Sequence, residues 1–276
     1  MSDATADPWL TVRRGRVPLL LCMPHTGTDI PPALEDEFLS PWLARRDTDW
    51  WIDRLYAFGE ALGAGLVRTG ISRSVIDPNR DPSGASLYPG QATTELCPTT
   101  TFDGEPLYRA GRVPTAATIL ARRERYFEPY HRAIAGQIAY LRARHPLIVV
   151  YDCHSIRSQI PRLFPGTLPH LNLGTFCGAS CAAPLAARIE AVCESSGYSR
   201  VTNARFKGGY TTRHYGRPDE GVHAVQMELA ARGYLREPLG AVHEGNWPVP
   251  WDEAFAAPLR ALLERVLGAC LEFAAA

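Results

Sequence analysis

HPLIVVYDCH, residues 145–154, is the stretch on which the fold reading turns. It is apolar, rich in β-branched residues and ends in polar ones, and it reads as the clearest strand of the chain. Working outward, VPLLLCMP at 17–24 reads as a second buried strand that ends in a Pro-containing turn. Apolar residues at helical spacing predict a helix over 49–62, stopped by Gly63 and Gly65. Short strands are expected at 65–68 and 74–76. From 77 to 111 the composition shifts to Pro, Gly, Thr and Ser, and a loop of that length inside a domain is usually functional or mobile. One long helix is expected over 115–144, followed, after the opening strand, by an irregular stretch at 155–172. Strand, helix and strand are expected at 173–176, 180–196 and 199–203. A polar loop at 208–221, a strand at 222–229 and an amphipathic helix at 251–273 complete the pattern. Strands alternating with helices predict an α/β sandwich with a largely parallel or mixed central sheet.

The 276 residues are 46% hydrophobic and 21% charged, which argues for a folded chain and against disorder. Lys plus Arg and Asp plus Glu both number 29, so net charge gives no support for a nucleic-acid partner or an acidic membrane surface. The seven cysteines are scattered without a CxxC pair, which fits reduced, buried thiols better than a disulfide framework. MSDATADPWL lacks a basic segment followed by an apolar one, and no apolar run is long enough to span a bilayer. A cytoplasmic enzyme-sized domain covering residues 1–276, of oligomeric state not given by the sequence, is the expectation.

In open α/β sheets ligands gather beyond the carboxyl ends of the strands. His25 in PHTGTDIPP and His154 in YDCHS each lie at such an end, and Asp49 in DTDWWID opens the predicted helix. Two imidazoles and a carboxylate are a usual set for a catalytic zinc. The ordinary alternative is a helix N-cap and two hydrogen-bonded loop histidines. Hydrolysis at such a metal would also need a proton shuttle. Glu228 in AVQMELA is the first candidate, because a carboxylate in an apolar strand is costly to bury. Glu95 and Asp152 follow, the latter also as a residue orienting a histidine. Asn79 and Arg80 in DPNRDPSG, Arg157, and Arg205, Lys207 and Arg213 in NARFKGGYTTRHYG offer polar and cationic groups for a carboxylate. Each arginine alone is as readily a solvated surface residue. There is no GxSxG elbow, no Walker loop and no dinucleotide fingerprint. Cys153 and His154 are neighbours on a strand and point to opposite faces, so they are poorly placed as a catalytic pair.

The ordered motifs resemble those of the N-formylglutamate amidohydrolase family, in particular its histidine-degradation deformylases. The matching segments include PHTGTDIP, DTDWWIDRLY, SRSVIDPNRDPSGASLYPGQATTELCPTTTFDGEPLY, EPYH, DCHSIRSQIPRLFPG, NLGTFCG and NARFKGGYTTRHYGRPDEGVHAVQMELA. They run from about His25 to Leu229. The resemblance implies a three-layer, phosphorylase/hydrolase-like α/β fold with a mixed central sheet, related to zinc carboxypeptidases. It implies hydrolysis of N-formyl-L-glutamate to formate and L-glutamate. It further implies His25, Asp49 and His154 as ligands of Zn2+, or of another divalent ion such as Co2+, and Glu228 as general base and acid. Asn79 and Arg80 match a carboxylate-binding pair, with Arg157 or Arg213 expected at the second carboxylate. Trp51 departs from the pattern, where His is common, and is expected to alter the pocket wall; Asp47 stands close enough to Asp49 to compete as ligand. Alternatives are a hydrolase of another N-acyl amino acid or small peptide, and a non-catalytic module that binds an acidic metabolite. The module would need neither the metal set nor Glu228.

Overall fold

The computed structural model describes residues 7–276; the start of the leader reading, MSDATA at 1–6, lies outside them. Among the described residues, seven strands form one sheet: β1 (Leu10–Arg13), β2 (Leu19–Met23), β3 (Gly65–Thr69), β4 (Ile148–Ile156), β5 (Leu171–Gly174), β6 (Arg200–Thr202) and β7 (Val222–Ala230). Their order is β1-β3-β2-β4-β7-β5-β6. The four strands β3, β2, β4 and β7 run parallel, and β1 and β5 pair antiparallel with β3 and β7. The helices are α1 (Pro32–Glu35), α2 (Pro41–Arg45), α3 (Ile52–Leu55), α4 (Ala116–Arg122), α5 (Glu128–Arg142), α6 (Ala183–Glu194), α7 (Tyr210–Tyr215) and α8 (Glu253–Ala274).

Every residue of β4 and β7 is buried, the polar Asp152, His154, Ser155, His223, Gln226 and Glu228 included, so neither strand shows the apolar-in, polar-out alternation of a sheet with one wet face. Alternate residues still serve different layers. Leu19, Leu21, Val149, Tyr151 and Val225 pack with Leu185 and Ile189 of α6 and Leu259, Leu263 and Val266 of α8. Leu20, Cys22, Ile148 and Val150 pack on the other face with Tyr130, Ile134 and Leu141 of α5. The result is a helix–sheet–helix sandwich with a mixed sheet. Asp252 caps α8 by accepting the Phe255 N–H at 3.0 Å, so the tail helix begins close to its expected start. No helix among the described residues is long and apolar enough to cross a membrane. The seven cysteines are unpaired, and all but Cys177 are buried.

Several expectations need correction. The helix expected over 49–62 shrinks to α3 and a short 3-10 turn at Ala57–Gly59. Trp51, at φ 63°, interrupts it, and the Asp49 N–H is tied to the His25 carbonyl at 2.9 Å rather than entering a helix. The strand expected at 74–76 is a turn: Val75 N–H bonds the Ser72 carbonyl at 2.9 Å, while its side chain stays in a core cluster. The long helix over 115–144 is present, but a π turn at Arg123–Phe127 separates α4 from α5. Pro129 has no N–H for the carbonyl four residues back, and the wider turn absorbs that gap. β1 was not expected, and α7 lies inside the loop expected at 208–221.

Candidate active site

β2, β4 and β7 point their carboxyl ends the same way, and the candidate residues collect there. His25 follows β2, and His154 sits near the end of β4 directly across from Glu228 on β7 in the parallel register. Asp49 is brought in by the chain between α2 and α3. One donor atom from each of His25, Asp49 and His154 lies within 4.8 Å of the others. His154 Nδ1 is 3.1 Å and His25 Nδ1 is 3.6 Å from Asp49 Oδ2. The far side of each ring meets a carboxylate: His25 Nε2 to Asp77 at 2.6 Å, His154 Nε2 to Asp152 at 2.9 Å. Carboxylates on Nε2 leave Nδ1 as the metal-facing nitrogen, the arrangement that orients metal-binding histidines. His25 Nδ1 is buried with no hydrogen-bond partner. An orphaned imidazole nitrogen beside a second imidazole and a carboxylate fits a divalent ion of the zinc or cobalt type.

The charges say the same. Burial alone would depress the His154 pKa, but Asp152 and Asp49 override it and hold it well above the usual imidazole range. Burial would raise Asp49, yet His25 and His154 pull it well below the carboxylate range. Asp77 is likewise held low, by His25, Arg80 and Arg73 against burial. Protons here neutralise buried carboxylates that a cation can neutralise instead. Arg73 binds the outer edge of the cluster, donating to Asp77 at 2.7 Å and lying 3.4 Å from Asp49.

The cluster opens into a cavity that reaches solvent. Glu228 lines it, accepting from Gln226 Nε2 at 2.9 Å. Burial pushes the Glu228 pKa up to about 7, against the downward pull of His154 and with a further rise from Asp49. Three arginines also line the cavity: Arg73, Arg80 and Arg205. Arg80 is fixed by Thr94, whose carbonyl accepts from Nε at 2.9 Å and whose hydroxyl accepts from Nη2 at 3.0 Å. Arg205 is fixed by the Leu163 and Ala92 carbonyls at 2.9 and 2.8 Å, with its guanidinium over the Tyr88 and Phe206 rings. Burial lowers the Arg205 pKa, and the like charge of Arg80 adds to that. Guanidinium groups crowded around a partly closed cavity favour an anion.

Asn79 lines the cavity, but both ends of its amide are engaged: Oδ1 accepts the Thr211 N–H at 2.8 Å and Nδ2 donates to Asp152 at 3.0 Å. Gly209 abuts that amide, where a Cβ would lie 2.4 Å from Nδ2. Asn79 therefore braces Asp152 and His154, a different position from the carboxylate contact expected of it. Arg157 and Arg213 do not line the cavity. Arg157 is buried and paired with Asp103 at 2.5 Å, and Arg213 bonds the Gly208 carbonyl and stacks between Tyr88 and Phe176. Asp47 turns away from the histidines and accepts the Phe102 N–H at 2.6 Å. Glu95 is exposed and bonds Thr99, away from the cluster. Trp51 leaves the cavity wall untouched, because its indole bonds the Val249 carbonyl at 2.9 Å. Arg73 and Phe102 had escaped the sequence reading. The only hint at Arg73 was an Asp four residues later, inside SRSVID.

Buried histidines and a carboxylate at the ends of parallel strands, with a second carboxylate across the cavity, form the kind of site on which α/β metal-dependent hydrolases work. The model of the N-formylglutamate amidohydrolase family matches residues 17–235. The chain belongs to that family. It is 48% identical over 262 residues to an N-formylglutamate deformylase of Pseudomonas aeruginosa, covering 95% of this chain and 97% of that one. It is 43% identical over 270 residues to an N-formylglutamate deformylase of Pseudomonas putida, covering 98% of each. The fold is also that of a crystal structure of N-formylglutamate amidohydrolase from Ralstonia eutropha, at TM-score 0.77 and 24% identity over 96% of this chain and 98% of that one.

Proposed function

We propose that the chain hydrolyses N-formyl-L-glutamate to formate and L-glutamate in histidine degradation, and that His25, Asp49 and His154 hold a zinc ion. The observation that carries this reading is one cavity combining the two-histidine, one-carboxylate cluster, Glu228 and three arginines. The names of the Pseudomonas relatives support the substrate. A bound zinc ion would acidify the attacking water and polarise the formyl carbonyl. Glu228 takes the proton of that water as its oxygen joins the formyl carbon. Arg73 faces the negative charge that gathers on the formyl oxygen. Glu228 then delivers the proton to the nitrogen as the C–N bond breaks, releasing formate and glutamate. Arg80 and Arg205 bind the two carboxylates of the substrate, and Asn79 keeps His154 in place through Asp152. The chain acts as one domain, and its unpaired thiols support a cytoplasmic location.

Carboxylate recognition gives the test. Arg80→Ala and Arg205→Ala are expected to keep the metal and to lose kcat/KM by about 2–5 kcal/mol each, the cost of stranding a charged partner at a desolvated site. For the wild type, N-formyl-L-leucine is expected to be a poor substrate beside N-formyl-L-glutamate. Equal kcat/KM for the two, measured by formate release, would contradict a second cationic subsite.

A further inference from the structure

Phe102 stands between two spaces. On one side its ring lines the active-site cavity; on the other, with Ile156, it lines a narrow crevice among Asp47, Trp50, Arg157 and Tyr234. The partition is held firmly. Asp47 accepts the Phe102 N–H at 2.6 Å, and the Arg73 guanidinium lies over the ring at 4.8 Å. The next residue, Asp103, is ion-paired with both Arg46 and Arg157, and Arg46 also pairs with Glu105. Gly104, at φ 93°, closes the turn, and Thr100 and Pro106 bridge its base. Two buried arginines thus clamp a short hairpin whose tip presses an aromatic ring into the site.

The ring also has a side. Arg205 lies over Tyr88, and Arg80 bridges from Thr94 to within 3.8 Å of Asp77, whereas Phe102 lies against Arg73, the arginine that reaches Asp49. A substrate anchored by its carboxylates at Arg80 and Arg205 directs its acyl carbon toward the Arg73 end. We propose that Phe102 is the acyl sieve of this site, and that Arg46 and Arg157, through Asp103, are positioning residues that hold it shut. This rests on the deformylase reading and adds what that reading leaves open, the limit on acyl size. A formyl carbon carries only hydrogen beyond the amide. An acetyl or longer group needs room where the ring stands, and close-packed walls do not yield it. Truncating Phe102 joins cavity and crevice and supplies that room.

The experiment measures kcat/KM on N-formyl-, N-acetyl- and N-butyryl-L-glutamate for the zinc-loaded wild type, Phe102→Ala, Phe102→Leu, Asp103→Ala and the Phe102→Ala/Asp103→Ala double variant. Metal content and melting temperature are followed for each. The acetyl-to-formyl ratio is expected to rise by at least about tenfold in Phe102→Ala, since one methylene in an apolar pocket is worth about 10–200-fold. Phe102→Leu should shift it less, and that variant decides the matter if the alanine variant does not fold. Asp103→Ala should shift the ratio in the same direction and add nothing in the Phe102→Ala background, because it acts through the ring. An unchanged ratio in folded, metal-loaded Phe102 variants overturns the sieve. Additive shifts overturn the positioning role of the clamp. A wild type equally active on formyl and acetyl substrates overturns the sieve alone. A wild type inert on all three overturns the deformylase reading and this inference with it.

Discussion

Glu228→Gln is expected to keep its metal and bind its substrate, yet lose turnover by about 10²–10⁴-fold, the usual worth of a positioned acid–base group. Glu228 lies opposite His154 across paired strands and lines the cavity with it. It is outside the three-residue donor cluster, so its loss should spare the metal. The amide is nearly isosteric and keeps the packing, but it cannot carry the proton. The pH profile should also change. Burial raises the carboxyl to about 7, and a base must be ionised, so wild-type kcat/KM should fall as pH drops through that raised pKa. The variant should lack this acidic limb. A second readout follows by linkage. A carboxyl with a folded pKa above its unfolded value destabilises the fold when ionised; the penalty is absent below the unfolded pKa and complete above the folded one. Metal-free Glu228→Gln should therefore melt above metal-free wild type at pH 8, and the gap should close toward pH 4. Near-normal turnover in the variant would move the proton shuttle to another residue.

His25→Ala and His154→Ala are expected to abolish both metal binding and activity. Each removes one of the two nitrogens that face Asp49, and a three-ligand site does not survive on two. The wild type should bind about one divalent ion per chain. Asp49→Ala should weaken binding strongly and Asp47→Ala only slightly, because Asp47 is spent on the Phe102 N–H. The reverse order would make Asp47 the ligand. Binding should also depend on pH. Asp152 and Asp49 hold a proton on metal-free His154 well above the usual range, and that proton must leave as the ion arrives. Zinc affinity, measured against a competing chelator, should rise from pH 6 to pH 8. Full zinc occupancy in either histidine variant would remove that residue from the site.

The central sheet was legible because β2 and Ile148–Tyr151 of β4 are unbroken apolar runs that suit a sheet covered on both faces, and β7 is apolar at most positions. β1 was not, since Leu10–Arg13 has no buried residue and becomes a strand only by pairing with β3. The short α3 was overdrawn because periodicity could not foresee that the backbone at Asp49 would bond His25. His25, Asp49, His154 and Glu228 could be named because strand ends mark ligand sites and the motif order was specific. The arginines could not be sorted the same way. Arg157 finds Asp103, 54 residues away, and is drawn off the cavity, while Arg205 is turned into it by two loop carbonyls. Ion pairing across such separations is a property of the packed chain. Phe102 was silent for a similar reason: a Phe in a polar loop becomes a wall only when two distant arginines clamp its hairpin.

The most direct measurement is formate release from N-formyl-L-glutamate by protein stripped of metal with a chelator and then titrated with zinc. The stripped protein is expected to release negligible formate, and activity to grow linearly to a plateau at about one zinc per chain. Glutamate should appear in equal amount. Full activity in the stripped protein, or no formate from the zinc-loaded one, would contradict the zinc-dependent deformylase reading.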